Sequence, residues 1–167
     1  MAFFDRKRTR LKGYDYNRKG LYFITICTNE RKCILSHIVG DGDLDVPKIE
    51  LTSIGKIVEK NILISNKNER IEIDKYVIMP NHIHLIVYVN KSAGEGKGTP
   101  VSPSPTNAVI PHFVSTFKRF CNAEIGEKVF QRSYHDHIIR NEDVYINISK
   151  YILSNPARWE NDFFFEN

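Results

Sequence analysis

Two histidines, His82 and His84, are separated by one residue in an apolar run that follows a Pro-Asn pair. The run is rich in isoleucine, valine and leucine, which favours a β-strand. Side chains alternate between the two faces of a strand, so both imidazoles are predicted on one face and Ile83 on the other. Two neighbouring imidazoles can bind one metal ion, provided that the chain supplies a third ligand.

The third ligand is expected from a segment near the C-terminus, where Tyr151 and Asn155 lie four positions apart. Residues four apart on a helix are neighbours, so the hydroxyl and the amide share one helix face. If this helix packs beside the histidine strand, the Asn155 amide oxygen completes a site of two nitrogens and one oxygen. Such a site with open positions suits Mg²⁺ or Mn²⁺ engaged with a phosphate. The Tyr151 hydroxyl would then attack a phosphodiester.

Other interpretations of these residues stay open at this level. Paired histidines on a sheet also occur as hydrogen-bonded structural groups. Tyr145 is a competing nucleophile, although the residue four positions later is Ser149, which we do not expect to be a ligand. A second pair, His135 and His137, encloses an acidic residue and precedes a predicted helix, so we expect it to be structural or to face phosphates.

The positive charge of the chain is concentrated at its N-terminus. The net charge is +4, from 24 Lys and Arg against 20 Asp and Glu, and residues 1–20 hold seven of the basic residues and only two of the acidic ones. Such an arm suits nucleic-acid phosphates, although a solvated tail is an equal alternative. The residues predicted to bind DNA are Arg6, Lys7, Arg8, Arg10, Lys12, Tyr14, Tyr16, Lys118, Arg119, Arg132 and Arg140, with the tyrosines stacking on bases. For Arg132 and Arg140, a surface ion pair is an equal alternative.

Length and composition limit the protein class. A chain of 167 residues predicts one domain over 1–167, with a basic arm at 1–20. No apolar run of about 18 residues and no secretory signal are present, so no membrane partner is expected. Three unevenly spaced cysteines predict buried thiols without a disulfide bridge, in the reducing cytoplasm.

The order of predicted elements is that of an α+β fold. It matches a ferredoxin-like split βαβ pattern with an antiparallel sheet and an additional C-terminal helix that carries the tyrosine. The helix after the flexible Gly/Pro/Ser-rich loop at 91–106 is expected to bury Phe113, Phe117 and Phe120. The predicted elements are strands at 21–28, 71–79 and 82–89, a short strand or extended segment at 129–134, helices at 52–65, 109–125 and 141–155, and turns at 29–50.

Three segments, taken in order, resemble the REP-associated branch of the IS200/IS605-like (Y1) tyrosine transposases, which belong to the HUH single-strand endonucleases. The segments are Pro80–His84, Phe130–Asn141 and Tyr151–Pro156, and Gly13–Tyr16 also fits. The resemblance covers about residues 10–160. The loop at 91–106 departs from the family pattern and looks like an insertion.

The resemblance implies a ferredoxin-like fold, dependence on a divalent metal ion, and cleavage and rejoining of single-stranded DNA at hairpin-associated sites. It implies that Tyr151 forms a 5′-phosphotyrosine intermediate and that His82, His84 and Asn155 bind the metal. The family includes apparent monomers and dimers that exchange the tyrosine helix, so a monomer and a homodimer are both compatible with it.

Two rival functions differ in class from a transposase. A ferredoxin-like nucleic-acid-binding protein without catalysis has no need of Tyr151 and Asn155 at their spacing. A metal hydrolase that uses water on a small phosphoester would turn over without a covalent adduct on Tyr151. Trapping a protein–DNA adduct would therefore distinguish a transposase from both rivals.

Overall fold

The structure is a computed structural model that describes residues 18–40, 47–90 and 108–162. Most of the basic arm and the loop at 91–106 lie outside these residues. Seven predicted DNA contacts on the arm therefore also lie outside them, namely Arg6, Lys7, Arg8, Arg10, Lys12, Tyr14 and Tyr16.

Within the described ranges, the chain forms six strands and three α-helices. In chain order they are β1 Gly20–Cys27, β2 Ser36–Val39, β3 Lys48–Leu51, α1 Ser53–Ser65, β4 Ile71–Ile78, β5 His82–Val89, α2 Val109–Ile125, β6 His135–Ile139 and α3 Glu142–Ser154. Short 3₁₀ helices at Asn29–Arg31 and Pro156–Asn161 follow β1 and α3.

Four strands form one antiparallel sheet in the order β4-β5-β1-β6. The connections β1-α1-β4 and β5-α2-β6, joined by the β4-β5 hairpin, are those of the ferredoxin-like split βαβ pattern. α3 follows the last strand as an additional helix. The structure therefore confirms the predicted α+β fold.

The two faces of the sheet pack against different helices. Ile83 and Leu85 of β5 belong to the cluster that includes Val58 of α1 and Phe117 of α2. Ile86 of β5 belongs to a second cluster with Ile152 of α3. Because side chains alternate along a strand, His82 and His84 lie on the same face as Ile86. The histidines therefore face the layer that contains α3.

The helix boundaries agree closely with the predictions. The Thr52 hydroxyl accepts a hydrogen bond from the Gly55 amide at 3.0 Å and caps α1. Asn141 caps α3 in the same way, through the Val144 amide at 2.9 Å. α2 ends at Gly126, whose φ of 92° is a left-handed conformation that favours glycine.

Two expectations about local structure are wrong, and one open alternative is decided. The segment 129–134, predicted as a short strand or an extended segment, forms no strand. Phe130 makes an isolated bridge to Thr28, just after β1, and the last strand of the sheet lies at His135–Ile139. The stretch 29–50 contains the β2-β3 hairpin as well as turns. Phe120 is 55% exposed, because the neighbouring Cys121 takes the inward position on α2.

None of the described helices is long and apolar enough to cross a membrane. All three cysteines lie in the described part of the chain, and none of them forms a disulfide bridge. Cys27 and Cys121 are buried as expected, whereas Cys33 is exposed.

Candidate active site

The two histidines of β5 form a buried pair. Their Nε2 atoms lie 3.0 Å apart, and both side chains are almost completely excluded from solvent. The Nδ1 atom of His82 lies 2.8 Å from Oδ1 of Asn81, and Nδ1 of His84 lies 2.8 Å from the Thr25 hydroxyl of β1. Each ring is therefore held at Nδ1, and its Nε2 atom faces the other ring.

These contacts suit metal binding through Nε2. An amide oxygen only accepts hydrogen bonds, so Nδ1 of His82 carries the proton and its Nε2 carries a lone pair. The Thr25 hydroxyl can accept a hydrogen bond from Nδ1 of His84 in the same way. Hydrogen bonds at the second nitrogen typically orient metal-binding histidines. Two ligands about 2.1 Å from a cation and at right angles are about 3.0 Å apart, as these nitrogens are.

Tyr151 of α3 points at this pair. Its hydroxyl lies 3.3 Å from Nε2 of His84, and the two ring centroids are 5.2 Å apart. Tyr145, six residues earlier on α3, is held elsewhere, where its hydroxyl donates to Asp74 at 2.8 Å and accepts from Lys75 at 2.8 Å. Of the two candidate nucleophiles on α3, Tyr151 is the one that reaches the histidines, and it does so within a single chain.

Asn155 lies at the end of α3 with only 1% of its surface exposed. Its Nδ2 donates to Oδ2 of Asp162 at 2.8 Å, while its buried Oδ1 accepts no hydrogen bond from any described residue. A carboxylate only accepts, so this contact fixes which end of the amide faces Asp162. A buried acceptor without a partner costs about 1–3 kcal/mol, a cost that a bound cation would remove. The residues present therefore fit a metal ion.

Asp162 is the site residue that the sequence interpretation missed. Its Oδ2 also accepts a hydrogen bond from the Tyr151 hydroxyl at 2.9 Å. With His82 and His84 it forms a possible metal-binding group whose ligand atoms lie within 4.8 Å of one another. The 3₁₀ helix Pro156–Asn161 brings it back towards Tyr151. An acidic residue soon after a helix-ending Asn-Pro pair was the available signal, but the sequence does not predict that turn.

Burial controls the protonation of the site. It lowers the pKa of His82 to about 4, despite the opposing charge of Asp162. Burial also lowers the pKa of His84 well below its usual value, with a smaller effect from His82. Both imidazoles are therefore neutral at neutral pH, as metal ligands must be. Burial, with Asp162 next, raises the pKa of Tyr151 to about 12, so nucleophilic attack by this hydroxyl would require its activation.

The lowered histidine pKa values predict a pH-dependent stability in metal-free buffer. An unfolded histidine binds a proton near pH 6.5, whereas the folded His82 resists protonation down to about pH 4. The free energy of unfolding should therefore fall as the pH drops from about 6.5 towards 4, by on the order of 3 kcal/mol for His82. Urea unfolding across this range, with EDTA present, measures the effect. The double variant His82→Asn/His84→Asn should lose most of the slope, and an unchanged slope would contradict the assignment.

Comparison with known proteins places the chain in a family. No family model matches the sequence. A protein of Haemophilus influenzae, described as uncharacterized, is 35% identical over an alignment of 174 residues. The alignment covers 94% of this chain and 91% of that protein. The chain belongs to the family of this Haemophilus protein.

A solved structure shows which fold this family has. It is that of a REP-associated tyrosine transposase bound to a REP hairpin, with a TM-score of 0.60 and 19% sequence identity. The match covers 90% of this chain and 73% of the other. The fold is that of the IS200/IS605-like tyrosine transposases, which confirms the fold implied by the sequence resemblance.

Within this tyrosine transposase fold, the charged residues predicted to bind DNA separate into two groups. Arg119, Arg132 and Arg140 are exposed, as contacts to phosphates require. Lys118, in contrast, is only 9% exposed, so its side chain offers little surface to DNA. Its Nζ donates to the carbonyl oxygens of Gln131 and Ser133, both at 2.8 Å, and burial lowers its pKa to about 8. Lys118 thus holds the segment before β6. Its ammonium bonds to carbonyl groups that a strand would use for hydrogen bonds to its neighbouring strand.

Replacing Lys118 should therefore affect stability and leave DNA binding unchanged. In Lys118→Met, the partly buried hydrogen bonds from the ammonium to the Gln131 and Ser133 carbonyls are lost, and we expect a loss of about 1–3 kcal/mol in the free energy of unfolding. Denaturant unfolding measures this loss. Arg119→Met, at the exposed neighbouring position, should change it by less than about 0.5 kcal/mol. Equal stability of the two variants would contradict a structural role for Lys118.

The second histidine pair is also exposed, and it lies on the edge strand β6. His135 pairs with Thr25 and His137 with Phe23, and both β1 residues lie on the face that carries His84. Directly paired residues on neighbouring strands share a face. The pair therefore borders the site across β1, without joining the group formed by His82, His84 and Asp162.

Proposed function

We propose that this protein is a metal-dependent transposase of the HUH tyrosine type, which cleaves and rejoins single-stranded DNA at hairpin-associated sites. The observation that carries the proposal is the 3.3 Å separation between the Tyr151 hydroxyl and Nε2 of His84, which itself lies 3.0 Å from Nε2 of His82. The candidate nucleophile and two candidate metal ligands thus lie close together. The fold supports the same conclusion, because it is shared with a tyrosine transposase bound to a hairpin.

His82, His84 and the Oδ1 atom of Asn155 would hold Mg²⁺ or Mn²⁺. The bound cation would polarise the phosphodiester and neutralise the negative charge that grows on its non-bridging oxygens. Oxygen and imidazole ligands with open positions suit either metal. Asn155 fits this role because its oxygen is buried without a hydrogen-bond donor, while its nitrogen is fixed by Asp162.

Tyr151 would perform the covalent step. Its Oη forms a bond to phosphorus while the bond from phosphorus to O3′ breaks, which leaves a 5′-phosphotyrosine on the protein and a free 3′-OH on the other fragment. The hydroxyl proton leaves along its hydrogen bond to Oδ2 of Asp162, and the departing O3′ takes a proton from water. The phosphotyrosine retains the bond energy, so the 3′-OH of a second strand can reverse the step.

The exposed basic residues would track the DNA backbone. Arg119, Arg132 and Arg140 are the exposed members of the described part of the predicted set. The arm residues Arg6, Lys7, Arg8, Arg10 and Lys12, together with Tyr14 and Tyr16, would extend the same contact. Each phosphate contact that is removed should reduce the salt dependence of binding by about one unit of slope.

A labelled DNA hairpin with a single-stranded 5′ flank tests the proposal. With Mn²⁺, the wild-type protein should release a fragment with a free 3′-OH and retain the other fragment in an adduct that resists SDS. EDTA and a fully paired duplex serve as controls, and both should give no adduct. Cleavage without an adduct would favour a metal hydrolase, and binding without cleavage would favour a noncatalytic DNA-binding protein.

A further inference from the structure

Two aromatic rings flank the histidine pair and are only partly buried. The Phe23 ring on β1 lies 5.0 Å from the His84 ring, and the Trp159 ring on the 3₁₀ helix lies 6.0 Å from the His82 ring. Phe23 also contacts the Tyr151 ring edge-on at 6.2 Å, so the Phe23 ring packs against both His84 of β5 and Tyr151 of α3. Trp159 lies on a surface segment and retains partial exposure beside the metal-binding nitrogens.

We propose that Trp159 is the stacking platform for an unpaired nucleobase next to the phosphate that Tyr151 attacks. The inference rests on the proposed single-stranded DNA substrate and assigns a specific contact to it. A base is carried by the sugar beside the phosphate, so a phosphate between Tyr151 and His82 brings that base within reach of the indole. An unpaired base has an accessible π-face, which stacks on aromatic rings with little sequence preference.

Trp159 packs against the apolar cluster that includes Met79 and Ile86, yet its side chain stays partly exposed. The residue before it in the chain, Arg158, is basic and exposed. An aromatic platform beside a basic group is the usual arrangement in proteins that bind single strands. In a duplex both faces of each base are covered by its neighbours, so stacking on Trp159 would select unpaired DNA at the cleavage position.

Trp159 is the only tryptophan in the chain, so its fluorescence reports this site alone. The probes are oligo(dT), a chain of equal length with abasic sites, and a duplex, each titrated into Tyr151→Phe with Mn²⁺. Oligo(dT) should quench the fluorescence, because a stacked base contacts the indole. The abasic chain carries the same phosphates and should bind without comparable quenching. Equal quenching by both chains, or none by either, would overturn the proposal.

A second measurement separates stacking from a structural role. Trp159→Leu should weaken oligo(dT) binding roughly 10-fold and leave abasic-chain binding and Mn²⁺ affinity unchanged. Phe120→Leu, at an exposed aromatic position of α2 on the opposite side of the sheet, should bind both chains as the wild type does. Equal weakening for both chains in Trp159→Leu would contradict a stacking contact.

Failure of the stacking contact can be told apart from failure of the proposed transposase function. If the wild type forms no adduct with a hairpin but oligo(dT) quenches Trp159, the transposase proposal fails and the stacking contact stands. If the adduct forms and Trp159 does not respond to oligo(dT), the cleavage mechanism stands and the stacking contact fails.

Discussion

Replacing Tyr151 with phenylalanine is expected to abolish DNA cleavage while DNA binding persists. The substitution removes one oxygen atom, the one that lies 3.3 Å from Nε2 of His84 and donates to Asp162. Without this nucleophile no phosphotyrosine can form, and we expect the cleavage rate to fall by more than about 10³-fold. The phenyl ring keeps the packing of α3 against β1 and β5. A gel assay of cleavage and adduct formation on the flanked hairpin, with binding measured by anisotropy, reports both properties.

Tyr145→Phe is the matched control, because it removes the same atom from the same helix. Tyr145 bonds to Lys75 and Asp74 on β4, away from the histidines. We expect cleavage at close to the wild-type rate and a change in stability of about 1 kcal/mol or less. Loss of cleavage in Tyr145→Phe together with retention in Tyr151→Phe would show that Tyr145, and not Tyr151, is the nucleophile.

Replacing His84 with alanine is expected to remove metal binding and cleavage together. The substitution deletes one of two facing Nε2 atoms, and a single buried histidine with an amide is a much poorer ligand set. Loss of a group that merely orients a ligand typically costs 10–100-fold in affinity, so loss of the ligand itself should cost more than about 100-fold for Mn²⁺. Isothermal titration calorimetry with Mn²⁺ measures this without DNA. Binding of oligo(dT) in EDTA should persist.

Two further variants test this interpretation of the pair. Thr25→Val removes the hydroxyl 2.8 Å from Nδ1 of His84 and should lower Mn²⁺ affinity by about 10–100-fold, less than His84→Ala does. His112→Ala, at an exposed position of α2, should leave Mn²⁺ affinity unchanged. Equal Mn²⁺ affinity in the wild type and in His84→Ala would exclude the histidine pair as the metal centre.

Much of this site follows from local periodicity in the sequence. The two-residue period of a strand puts His82 and His84 on one face, and the helical period puts Tyr151 one turn before Asn155. Apolar patterns and capping residues such as Thr52 also predict the bounds of α1 and α2. These features depend on short-range geometry, which neighbouring residue types determine.

The parts that were missed depend on contacts between distant segments. Asp162 joins the site only because a 3₁₀ helix turns the chain back after Asn155. Lysine is usually a surface residue, yet the Lys118 ammonium is buried because it donates hydrogen bonds to carbonyl groups of a later segment. The same contact helps to explain why the last sheet strand begins at His135 and not at Val129. Side-chain chemistry at such positions depends on tertiary partners that residue type does not specify.

Identification of the residue that carries the DNA adduct tests the central claim most directly. Trypsin cleaves after Arg140, Lys150 and Arg158, so Tyr145 falls in residues 141–150 and Tyr151 in residues 151–158. After incubation of the wild-type protein with the flanked hairpin and Mn²⁺, nuclease and trypsin digestion leaves a nucleotide on one peptide. Mass spectrometry should find that mass on residues 151–158, at Tyr151. A modified 141–150 peptide, or cleaved DNA with no modified peptide, would contradict the proposed mechanism.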